Sequence, residues 1–228
     1  MIDHAHDLAS VRDATDRLLT AVGKLDNASV TEPSRLPGWT RGHVLAHLAR
    51  NADALVNVLE GRPMYASGDA RDADIDRDAP RPLDVQLADV RDSATRFQEA
   101  GAAPADWSRI VQLRNGVTDS ASRVPFRRWV EVELHRVDLG IGYELEDMPA
   151  EFTGREIAFL ADRFTGHPEV PPTRLTDGTR VWTTGRVAEA VVATVTGPPA
   201  DLLGWLAGRR GGSTLRVEGG RLPELPAL

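Results

Sequence analysis

The sequence predicts a two-domain α+β protein, with a four-helix bundle over residues 1–150 and a small α/β domain over residues 151–228. Three observations carry this reading. Roughly the first 145 residues hold long segments whose apolar positions recur at helical spacing. Pro168, Pro171 and Pro172 then interrupt the chain. The part that follows has only short apolar runs between turn residues, with a hairpin signal at Asp177-Gly178.

In the first helix Leu8, Val11, Leu18, Leu19, Val22 and Leu25 keep the helical period, which stops at Asp26-Asn27. Pro37-Gly38 make a turn, and Thr40 is placed to cap the second helix. That helix shows one face through Val44, Leu45, Leu48, Leu55, Val58 and Leu59, and ends at Gly61-Arg62-Pro63. Residues 68–82, rich in Asp, Arg and Ala, read as an exposed loop. A third helix is expected from about Leu83 to Ala100, with Val85, Leu87, Val90, Ala94 and Phe97 apolar. A long connection carries Trp107, Ile110, Val111 and Leu113. The fourth helix starts near Val124-Pro125 and stops at Gly140 or Gly142. Four such helices with apolar faces suggest a bundle. Beyond Pro149, residues 152–164 form one more helix. Leu175, Val181 and Trp182 flank the hairpin turn, and residues 189–196 are either a strand or a helix end. Residues 199–208 are helical, and residues 215–217 are strand-like.

The chain has 228 residues, enough to bury a substantial core. A formal charge of -7 with a single lysine, Lys24, lacks the basic footprint that nucleic acid requires. No apolar run is long enough to span a membrane, and the polar N-terminus has no signal-peptide pattern, so a cytoplasmic protein is expected. Cysteine is absent. That excludes disulfides, thiolate metal sites and a cysteine nucleophile, so any thiol in the chemistry comes from a cofactor.

Six histidines remain to be sorted. His4 and His6 lie at the terminus and read as solvated, and His167 sits in a Gly-His-Pro turn. His135 follows Glu131 by four residues, so both project from one helical face and can share a divalent cation. The alternative is an exposed Glu–His pair. Val130, Leu134 and Val137 set the pair at the edge of the core, with Arg127, Arg128, Glu133 and Arg136 on polar positions. His47, among Val44, Ala46 and Leu48, points inward. His47, Glu131 and His135 together would leave a fourth tetrahedral position open, as catalytic zinc sites do. Spacing does not decide whether His43 joins them.

Three segments carry a family resemblance. Residues 36–40 and 42–50 (LPGWT and GHVLAHLAR) and residues 126–140 (FRRWVEVELHRVDLG) resemble the metal-site segments of mycothiol-dependent maleylpyruvate isomerases. This group sits within the DinB-like four-helix metalloproteins. Residues 202–209 (LLGWLAGR) resemble its small C-terminal domain. The resemblance implies zinc on His47, Glu131 and His135, with His43 left out, and mycothiol as the thiol cosubstrate. It also implies conversion of maleylpyruvate to fumarylpyruvate in gentisate breakdown, with Arg209 acting on the substrate. Addition of the thiol to the cis double bond leaves a single bond that rotates, and elimination releases the trans isomer. A guanidinium at Arg209 can hold a carboxylate bidentately; the alternative is a surface arginine at a helix C-terminus. The expected partners are small molecules, with no nucleic acid and no membrane, and the expected state is a monomer.

Two other functions share these features. A mycothiol S-transferase would keep the metal site and relax the substrate pocket. A non-enzymatic metal-binding protein would need no open coordination position. Only the isomerase requires contacts to an anionic substrate such as Arg209.

Overall fold

The computed structural model describes residues 3–186 and 189–226, and the chain divides into two compact units, Met1–Tyr143 and Glu144–Leu228. Residues 187, 188, 227 and 228, within the second expected domain, lie outside the described residues.

The first unit is built on α1 (His4–Val22), α2 (Arg41–Leu59), α3 (Gly68–Asp78), α4 (Leu83–Ala102) and α5 (Val124–Asp138). α1 starts earlier than its apolar period, because the Asp3 carboxylate accepts from the His6 amide at 3.0 Å and caps the first turn. His4 is correspondingly not a solvated bystander: its ring stacks on Trp107 with centroids 4.2 Å apart. α2 begins where the Thr40 cap predicts. The Thr40 hydroxyl accepts from the His43 amide at 3.4 Å, and His43 Nδ1 accepts from the Thr40 amide at 3.2 Å.

Residues 68–82 are mostly helix and not an exposed loop. α3 is capped by Ser67, whose hydroxyl accepts from the Ala70 amide at 3.0 Å. Its polar composition hid it, since Ile75 and Asp78 are its only buried residues and one apolar anchor gives no readable period. Its end is fixed by polar contacts: buried Asp78 accepts from Arg50 Nη1 at 3.1 Å, and buried Gln86 donates to the Asp78 and Ala79 carbonyls at 2.9 and 3.0 Å. Gly42 matters here. A Cβ at that position would collide with the Ala79 carbonyl, so the start of α2 and the end of α3 can approach only because it is absent.

The buried face of α4 runs through Leu83, Gln86, Val90, Ser93, Phe97 and Gly101, whereas Val85, expected to be inward, is 41% exposed. Small and polar residues at the inner positions had masked the true stripe. The connection before α5 contains a small antiparallel hairpin, β1 (Ile110–Gln112) with β2 (Thr118–Ser120), turned by Asn115 and Gly116 at positive φ. In the bundle α1 packs on α4 and α5, and α2 also packs on α4 and α5. α2 and α5 are thus neighbours although far apart in sequence.

The second unit carries α6 (Ala150–Phe164) and α7 (Pro199–Leu206) with four strands, β3 (Thr173–Thr176), β4 (Val181–Thr184), β5 (Ala193–Thr196) and β6 (Arg216–Glu218). Their order is β4-β3-β5-β6, with β3 and β5 parallel and the outer pairs antiparallel. The β3–β4 turn uses Asp177-Gly178 as expected: the Asp177 carboxylate accepts from the Thr179 and Arg180 amides at 2.9 and 2.6 Å, and Gly178 has φ +90. The ambiguous stretch at 189–196 resolves as a strand from Ala193, pairing with both β3 and β6. α6 packs on β4 and α7. The α+β class holds.

Candidate metal centre

Adjacency of α2 and α5 brings three side chains to one point. His47 Nε2 lies 3.0 Å from Glu131 Oε2, and His135 Nε2 lies 3.2 Å from the same oxygen. One donor atom from each residue falls within 4.8 Å of the others. The two imidazole rings meet edge to face at 4.6 Å, and the Trp39 ring covers His47 at 5.5 Å. His47 is buried, while Glu131 keeps 31% of its side chain exposed, so the cluster opens toward solvent on its carboxylate side.

Helical geometry accounts for the α5 half: residues four apart stack on one face. His135 is further held by Asp138, one turn on and fully buried, which accepts from Nδ1 at 2.8 Å. That bond keeps the proton on Nδ1, so once Nε2 gives up the proton it shares with Glu131 the ring is in the tautomer a metal ligand needs.

The electrostatics follow from burial and contact. Burial pushes the His47 imidazole down to about 4, so it is neutral at ordinary pH. Burial would raise the Glu131 carboxyl, but hydrogen bonds from His135 and His47 hold it well below the usual range. Burial also works against protonating His135, yet its bonds to Asp138 and Glu131 lift it above the usual histidine value. Two neutral-capable nitrogens and an ionised carboxylate, with a buried carboxylate behind one of them, fit a divalent cation of the zinc type and leave room for a further ligand.

His43 is not in the cluster. Its Nδ1 also lies 2.7 Å from the Thr40 hydroxyl, and its Nε2 is 3.7 Å from Asp76. The residue is engaged in the helix cap, and its ring nitrogens are not among the three donor atoms that converge. His167 lies in the second unit, accepting from the Glu169 amide at 3.3 Å.

Several neighbours of the cluster escaped the sequence reading. Arg71 on α3 approaches His47 Nδ1 through Nη2 at 3.2 Å, a contact the sequence hides because α3 has no apolar period to mark it as a helix. Tyr65 lies beneath Arg71, with the guanidinium 5.9 Å from the ring centre. Tyr65 also lines a cavity of about 660 Å³ together with Ser67, Arg109, Gln112 and Arg114. Arg128, assigned to a polar position, is 1% exposed, and Glu133 is fully buried. Glu133 accepts from Tyr143 Oη at 2.6 Å and Trp129 Nε1 at 3.2 Å, a buried arrangement that periodicity cannot reveal. Asp138 did carry a signal, three residues beyond His135.

Arg209 follows α7 in the second unit, half-buried, with Nη1 donating to the Ala207 carbonyl at 2.7 Å. The adjacent Arg210 is bound to Glu146 and Asp201, at 2.7 and 2.6 Å, as part of that unit's framework. No helix among the described residues is long and apolar enough to cross a membrane.

Residues 11–140 match the family profile described as mycothiol maleylpyruvate isomerase N-terminal domain, and residues 147–227 match the MDMPI C-terminal domain. No curated protein matches the chain significantly. A crystal structure of the mycothiol-dependent maleylpyruvate isomerase is 28% identical, covers 99% of this chain and 97% of its own, and superposes with a TM-score of 0.88. A histidine-to-alanine mutant of that enzyme is 27% identical, with the same coverage and TM-score.

Proposed function

This chain belongs to the mycothiol maleylpyruvate isomerase family, and from that premise we propose that it isomerises maleylpyruvate to fumarylpyruvate with mycothiol as the thiol cosubstrate. The convergence of His47, Glu131 and His135 is the observation that carries the reading. We assign these three residues as zinc ligands, two from α5 and one from α2. Zinc held there would favour the thiolate form of mycothiol, the nucleophilic species that a chain without cysteine cannot provide.

The chain's own residues then have separate tasks. Asp138 holds the His135 ring by its Nδ1 proton. Trp39 shields His47 from water. Glu131, on the open side, balances part of the cation's charge. Arg209 takes the role that the resemblance gives it, pairing with a substrate carboxylate. The reaction is a reversible conjugate addition and elimination, so the thiol is regenerated and no oxidant or reductant enters. We place the metal chemistry in a domain of residues 1–150 and Arg209 in a second domain of residues 151–228, in a monomeric cytoplasmic enzyme of gentisate breakdown.

The test is turnover of maleylpyruvate by the purified chain with mycothiol, before and after treatment with a chelator and again after adding zinc. Thiol-dependent fumarylpyruvate formation that disappears with the metal and returns with it is expected. Conjugation of electrophiles to mycothiol without isomerisation would assign the chain to the S-transferases.

A further inference from the structure

Arg71 makes a hydrogen bond that a metal on His47 would abolish. Its Nη2 donates to His47 Nδ1 at 3.2 Å, so Nδ1 offers a lone pair and the ring proton resides on Nε2, directed at Glu131 Oε2 3.0 Å away. A cation bound through Nε2 requires the opposite tautomer. The proton that Nε2 held ends on Nδ1, the ring stays neutral, and Nδ1–H then faces a guanidinium that has donors only. Metal-bound histidines give their second N–H to an acceptor. His135 has one in Asp138, whereas the group facing His47 Nδ1 is Arg71.

The contact must therefore break, and the structure indicates what the guanidinium does next. Nη1 is tied to Asp72 Oδ1 at 2.6 Å, so the group can pivot about that bond while staying beside the cluster and the Tyr65 ring. A second guanidinium waits nearby. Arg128, three residues before Glu131 on α5, is 1% exposed and donates through Nη1 to Asn51 at 2.8 Å, while its Nε and Nη2 have no hydrogen-bond partner among the described residues. Buried donors without acceptors are costly and are commonly completed by a ligand or water. Burial pushes this guanidinium down to about 10, and Glu131 and Tyr65 are the groups whose charges act on it most. With a dication in place, the metal, Arg71 and Arg128 carry four positive charges against three on Glu131, Asp138 and Asp72, a net positive balance. A largely buried site with that balance, open to solvent on the Glu131 side, favours an anion.

We propose that Arg71 is a metal-gated anion-binding residue: cation loading frees its guanidinium from His47, and the freed group, with the unpartnered edge of Arg128, takes a carboxylate of the incoming substrate. This rests on the metal-site reading above and adds a carboxylate contact distinct from Arg209. Metal and anion are then linked, and each raises the affinity for the other by the same factor.

The experiment measures zinc affinity of the full chain by chelator competition and maleate binding by calorimetry, with and without zinc, in the wild type, Arg71→Gln and Arg128→Lys. A glutamine oxygen can accept from His47 Nδ1–H, so Arg71→Gln should bind zinc roughly tenfold more tightly yet lose maleate binding. Arg128→Lys, which keeps the charge in the buried position, should hold zinc as the wild type does and bind maleate more weakly. In the wild type maleate should bind only the zinc-loaded form. Unchanged or weaker zinc binding by Arg71→Gln with a wild-type melting curve would overturn the proposal, as would maleate binding that ignores zinc. Failure of the wild type itself to bind zinc would instead overturn the metal-site assignment, and this proposal with it.

Discussion

Replacing Asp138 by asparagine removes a buried charge while leaving an oxygen that can still accept from His135 Nδ1. The wild-type bond is 2.8 Å long, the carboxylate is fully buried, and the residue sits in the last turn of α5. A charged acceptor at this distance makes the imidazole a stronger donor to a cation, and outer-shell partners of this kind are worth roughly 10–100-fold in metal affinity. That is about 1.4–2.8 kcal/mol. Asp138→Asn should fall near the lower figure and Asp138→Ala, which also frees the tautomer, near the upper. The pH dependence adds a second readout. Asp138 is among the groups that raise His135 above its usual value, so its loss lowers that value and weakens proton competition. The deficit in zinc affinity should therefore be widest in mildly alkaline buffer and narrow as pH falls through the His135 titration. Chelator competition at several pH values measures this, with circular dichroism to verify folding. Wild-type affinity in a folded Asp138→Ala chain would refute the reasoning.

Three further outcomes are expected. His47→Ala and His135→Ala should lose zinc by elemental analysis, while His43→Ala should retain it and lose about 1 kcal/mol of stability with its share of the α2 cap. Zinc binding should release close to one proton between about pH 4 and the raised His135 value, because His47 titrates at about 4 and Glu131 well below its usual range, leaving only His135 to be displaced; log affinity then rises about one unit per pH unit and levels off above that value, and a slope of two would contradict the buried, neutral His47. Arg209→Ala should keep zinc and the melting temperature yet lose roughly one and a half to four decades of maleylpyruvate turnover, the equivalent of about 2–5 kcal/mol for a desolvated charge pair; near wild-type turnover would leave Arg209 a surface residue.

What the sequence determined by itself is what a few adjacent residues can encode. Thr40 caps α2, Asp177-Gly178 turn the β3–β4 hairpin, and four-residue spacing puts Glu131 and His135 on one face. Each depends on backbone geometry within one or two turns, where composition and period suffice. The same local logic failed at α3, whose single deep apolar anchor, Ile75, leaves no period to read; at α4 it found the helix but only part of its inner face, where Gln86 and Ser93 take core positions beside Val90 and Phe97. Tertiary structure decided the rest. Only the packing of α2 against α5 brings His47 to the other two donors, and only α3 folding back on α2 sets Arg71 against His47. Packing likewise buried Arg128 and Glu133, which the sequence had placed on the polar side of α5. Charged residues enter a core where partners from distant segments meet them or a ligand is expected, and no window along the chain contains those partners.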